Sequence, residues 1–171
     1  MIRILVFNLF YVASCGYALV RGGAPERIGA AILIADFQLS HWVIAPLATR
    51  YAGIEWAMMS VDLSACFALY AMSLFSARYW PMWMTAIQGI VVLSHLAGVR
   101  ADVIAWAYGN SVALWAYVLL ALLTTATWRH RRRLARYGMD PAWRSQLPAA
   151  YRLGGPADEH PASPVDPSHR L

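Results

Sequence analysis

IGAAILIADFQLSHWVIAPLATRYAG, residues 28–53, is long and apolar enough to cross a bilayer, yet it carries Asp36, Gln38, Ser40 and His41 in its interior. An ionisable group at membrane depth is costly unless it faces protein or a water-filled space, so these residues mark a functional site by default. The rest of the chain is read by asking what it supplies as partners for them.

Composition agrees with a membrane setting. The chain has 171 residues, 60% hydrophobic and 13% charged, where soluble domains run to about a quarter charged. A bilayer core needs about 20 apolar residues in helical form. Four further stretches come near that length, and the five spans predicted are 2–20, 28–48, 54–77, 82–99 and 103–128. Arg21-Gly22-Gly23, Arg50, Arg78 with Pro81, and Arg100 with Asp102 separate them. The predicted fold is all-α: a five-helix transmembrane bundle over residues 1–128. Residues 129–171 follow as a cytoplasmic basic segment and a Pro-, Gly- and Ala-rich tail that is too polar and broken to bury a core.

Orientation follows from the arginines, because cytoplasmic loops carry the excess of positive charge. Five spans put Arg21, Arg27, Arg78 and the 129–136 cluster on one side and Arg3, Arg50 and Arg100 on the other. The expected arrangement is a multi-pass protein of the cell inner membrane, amino terminus outside and carboxyl terminus in the cytoplasm. Val12-Ala13-Ser14-Cys15 has the look of a lipoprotein cleavage box, but cleavage there would export the arginine cluster, against the charge bias. Cys15 and Cys66 fall in apolar runs without metal-type spacing and read as buried small hydrophobes.

With alternating helix directions and a rise of about 1.5 Å per residue, Asn8, His41, Asp62, His95 and Asn110 come to a shared layer about 6–12 Å inside the outer edge. Asp36 and Gln88 lie deeper. At about 100° per residue, Gln88 and His95 share a face of the fourth span. On the second span Gln38 lies with His41, while Asp36 lies with Ser40 on another side. A helix polar on two sides is expected near the centre of the bundle.

Several functions fit such a layer. The leading expectation is an accessory or interaction subunit without its own catalysis, its polar groups bonding between helices or to a membrane-protein partner or second copy. The alternative is a redox anchor in which His41 and His95 are axial ligands of a b-type haem, with Gln88, Tyr117 or Asp62 bonding a quinone head group. Weaker readings are a metal site of His41, His95 and Asp62, and proton-coupled transport through Asp36 and Asp62. No Gly-rich phosphate loop, nucleophile elbow or metalloprotease motif is present, so the sequence offers no advocate for an enzyme. Arg129, Arg131, Arg132, Arg133 and Arg136 follow directly on a span, where they fix topology and lie against anionic lipid; they do not point to nucleic acid.

Overall fold

The computed structural model describes residues 2–44, 55–96 and 105–147, with the backbone alone for 105–112. Among these residues the protein is all-helical. Five α-helices, α1 (Ile2–Arg21), α2 (Ala24–Val43), α3 (Trp56–Phe75), α4 (Trp80–His95) and α5 (Ala105–Tyr137), are followed by a short 3₁₀ turn, Arg144–Gln146. The helices pack in chain order as a ring closed by α1 against α5, with α2 also touching α5 across the middle. Tyr11, Cys15, Leu33, Leu69, Met84 and Leu123 are among the residues of the shared core.

Among the described residues two helices, α1 and α3, are long and apolar enough to cross a membrane. Only 22% of the most apolar stretch of each is buried, so most of their hydrophobic side chains lie outside the core. The core helix of a soluble protein would show the opposite. Two of the remaining helices miss the same criterion for identifiable reasons: Glu26, Arg27 and Asp36 interrupt α2, and α4 has 16 residues.

Helix ends depart from the hydrophobic boundaries because backbone hydrogen bonding does not stop where apolar residues do. α2 begins at Ala24, with Pro25 in its first turn and Glu26 Oε2 accepting from the Gly23 backbone N–H at 3.1 Å. α5 carries the basic run to Tyr137 as one 33-residue helix. It stops at Gly138, whose φ of 71° lies in the left-handed region and whose N–H donates to the Leu134 carbonyl at 3.0 Å.

The chain after α5 does not leave the bundle at once. The Ala77 N–H donates to the Ala142 carbonyl (3.1 Å), Ser76 and Trp143 form an antiparallel bridge, and Arg144 Nε donates to the Ser76 carbonyl (3.2 Å). Residues 139–147 are thereby strapped to the α3–α4 link. Residues 148–171, expected as a flexible tail, lie outside the described residues.

Candidate functional site

Two groups of polar side chains are buried, at different levels of the bundle. The first sits where the α1–α2 turn, the α3–α4 link and the end of α5 meet. Glu26 is fully buried, and its Oε1 accepts from the Arg78 guanidinium and from Trp80 Nε1 (3.1 Å). Arg78 Nη2 lies 2.9 Å from Asp140 Oδ2 and 3.3 Å from the Asp140 carbonyl. His130 Nδ1 is 2.7 Å from Asp140 Oδ2 and 3.0 Å from Arg78 Nη2. A contact that short to a carboxylate requires a proton on Nδ1, so the ring donates to Asp140 and Arg78 directs its Nη2 to the same carboxylate. Arg133 Nε stands 3.0 Å from Asp140 Oδ1. Two carboxylates, Glu26 and Asp140, therefore face two guanidiniums, Arg78 and Arg133, with formal charges that balance.

Sequence reading missed this cluster. Arg78 was expected as a loop charge, and neither Glu26 nor His130 was singled out. Arg78 is 52 residues from both Glu26 and His130, a separation no helical period relates. The available signals were a Glu directly after Pro25 and a lone His inside an arginine run. Arg133, expected at the membrane surface, is shared with Asp140, whereas Arg129, Arg131, Arg132 and Arg136 are exposed.

The second group lies further along the bundle. Asp62 of α3 is buried and ties down α4: Gln88 Nε2 donates to its Oδ1 at 3.0 Å, and His95 Nε2 stands 2.7 Å from its Oδ2. Gln88 and His95 thus do share one face of α4, and Asp62 takes His95 as its imidazole partner. His41 and Gln38 are exposed on α2, as is Asn8 on α1. The second polar face of α2 therefore points outward, and His41 takes no part in the bonds joining Asp62, Gln88 and His95. The Asn110 side chain lies outside the described residues, and among those described no three His, Cys, Asp or Glu side chains converge as a metal site.

Beside Asp62 and Gln88 is a cavity of about 170 Å³. α2 lines it with Asp36 and Ser40, the pair expected on one face, and with Phe37; α1 contributes Phe7 and Tyr11. Two polar atoms on this wall, the Tyr11 hydroxyl and Asp36 Oδ1, are buried and have no hydrogen-bond partner. The Tyr11 residue is 9% exposed. Aromatic packing holds both in place: the Tyr11 and Phe37 ring centroids are 4.6 Å apart, and Phe7 meets Phe37 at 5.7 Å and Tyr117 edge-on at 5.2 Å. A buried polar group left unpaired costs about 1–3 kcal/mol, and most such groups in native proteins find a partner. A guest that hydrogen-bonds both atoms would recover that cost. The volume is close to the roughly 150 Å³ of an engineered cavity that takes benzene, so the guest's buried part is about the size of one ring.

Cys15 is buried and Cys66 partly buried, both as free thiols, with Cys66 Sγ 3.8 Å from the Thr85 carbonyl. Compared with protein-family models, curated proteins and solved structures, the chain matches none.

Proposed function

We propose that the protein is a five-span integral membrane accessory subunit, amino terminus outside and carboxyl terminus cytoplasmic, that works by binding and has no catalysis of its own. The cavity beside Asp62 is its working part, and it takes a small ring-sized ligand with a hydrogen-bonding head group. One observation carries this reading: the Tyr11 hydroxyl and Asp36 Oδ1 are both buried, both unpartnered, and on the wall of the same cavity. Support for the membrane setting comes from the outward-facing residues of α1, α3 and α4, such as Ile4, Leu9, Phe67, Phe75, Met82 and Leu93. Contiguous exposed apolar surface on that scale is characteristic of contact with lipid or protein.

The geometry gives less support to a haem held by His41 and His95. His41 would have to turn inward and His95 to leave Asp62. A quinone head group, by contrast, is one ring with hydrogen-bonding oxygens and falls within the proposed ligand class.

Reporter fusions in the α1–α2 turn and after Leu147 test the topology, and both are expected to report cytoplasm. Solvent extraction of protein purified in mild detergent, followed by mass analysis, tests the binding. A ring-bearing molecule is expected in roughly equal amount to the protein, and it is lost in the combined Asp36→Asn, Tyr11→Phe variant. A haem absorption band lost in His41→Ala would contradict the proposal.

A further inference from the structure

The arginine run forms more than a diffuse charge. Arg129, Arg132, Arg133 and Arg136 recur at helical spacing on α5 and so make one stripe, whereas Arg131 lies off it. Grooves of about 410 and 460 Å³ share Arg129 and Arg133 as lining residues, so the stripe divides them. The first groove has Trp80 and Trp83 of α4 for its far wall and continues onto Leu122 and Ala126. The second holds Trp128, over whose ring the Arg132 guanidinium sits at 4.7 Å. Arg78 also lines the first groove, and its Nε is buried without a hydrogen-bond partner. Asp140 takes up part of the charge of Arg133; Arg129, Arg132 and Arg136 are exposed.

We infer that this double groove is a site for a phospholipid carrying two phosphates, such as diphosphatidylglycerol, with the arginine stripe between the phosphates and acyl chains running along the apolar ends. Charge complementarity selects an anionic head group, and the tryptophans suit the boundary between head groups and acyl chains. Two grooves sharing one basic ridge favour two linked phosphates over one. The source is the bilayer and not free phosphate, because both grooves join basic heads to aromatic and apolar walls.

The inference rests on the membrane reading, and its test separates the two. Full-length protein is extracted from membranes with mild detergent and titrated, by native mass spectrometry, with diphosphatidylglycerol, phosphatidylglycerol, phosphatidylcholine and pyrophosphate. Diphosphatidylglycerol is expected to bind best and phosphatidylcholine least. Arg129→Gln and Arg132→Gln are each expected to weaken it about fivefold, following the attraction of a single arginine at an anionic surface. Arg131→Gln, on the same helix but in neither groove, is expected to change nothing. Equal binding of all three lipids, an equal effect of Arg131→Gln, or pyrophosphate competing at the lipid's own concentration would overturn the site. A chain recovered in the soluble fraction would instead overturn the membrane reading.

Discussion

The two buried polar groups solve the same electrostatic problem in opposite ways. At the α5 end, the carboxylates of Glu26 and Asp140 are both paired, with Arg78, Arg133 and His130, and four chain segments are joined, leaving Arg78 Nε without a hydrogen-bond partner. In the cavity, Asp62, Gln88 and His95 are paired while the Tyr11 hydroxyl and Asp36 Oδ1 face open volume. A paired carboxylate fixes geometry; an unpaired one costs stability unless something else completes it. The contrast fits a first group that holds the helices and the strap together, and is the ground for proposing the second as a binding site.

That division can be broken by substitution. Arg78→Ala leaves Glu26 buried without its guanidinium, while Asp140 keeps Arg133, and a loss of about 3–5 kcal/mol is expected. It would be seen as a collapse of the melting temperature in detergent and of the yield of folded protein. Glu26→Gln combined with Arg78→Met should recover much of that loss, because no charge is then stranded. A double variant as unstable as Arg78→Ala would show that the cluster's charges are not what the strap depends on.

Asp62→Ala takes the shared carboxylate away from Gln88 and His95 and should cost about 1–3 kcal/mol. Asp62→Asn keeps an acceptor for Gln88 and should lose less, which a thermal melt of the two variants side by side resolves. Steric effects come next. A Cβ at Gly29 would stand 2.8 Å from the Trp80 ring, and Trp80 is pinned by its bond to Glu26. Gly29→Ala is therefore expected to destabilise by about 1–3 kcal/mol through overpacking, whereas Gly89→Ala, with no atom within 4 Å of its Cβ, should be silent. The smallest effect belongs to the cavity. In ligand-free protein, Tyr11→Phe removes one unpaired group and Asp36→Asn exchanges a carboxyl for an uncharged amide of the same shape, so the pair should shift stability by less than about 0.5 kcal/mol, or raise it.

Legibility in the sequence divides along the same line. Helix number and the pairing of Gln88 with His95 on one face follow from apolar run lengths and a seven-residue spacing, both local properties. Asp36 with Ser40 is legible for the same reason, as an i, i+4 pair that does line the cavity. The partners that make the ionic cluster are non-local, and its members look like loop charges until the helices are assembled. His41 illustrates the converse limit. Its place on α2 was readable, but the side of α2 facing the bundle depends on packing against α1, α3 and α5, which places Asp36 inward and His41 outward. Tyr11 gave no signal at all, since a tyrosine in an apolar run is unremarkable until its hydroxyl is found without a partner.

The most direct test of a binding cavity is a comparison of melting temperatures before and after exhaustive detergent washing, for the native chain and for Asp36→Asn with Tyr11→Phe. A ligand that binds only the folded state adds stability in proportion to its occupancy, about 2.7 kcal/mol at a hundredfold excess over Kd. The native protein is predicted to melt lower after washing, while the double variant starts near the washed value and does not move. A native protein indifferent to washing, melting together with the variant throughout, would contradict the account.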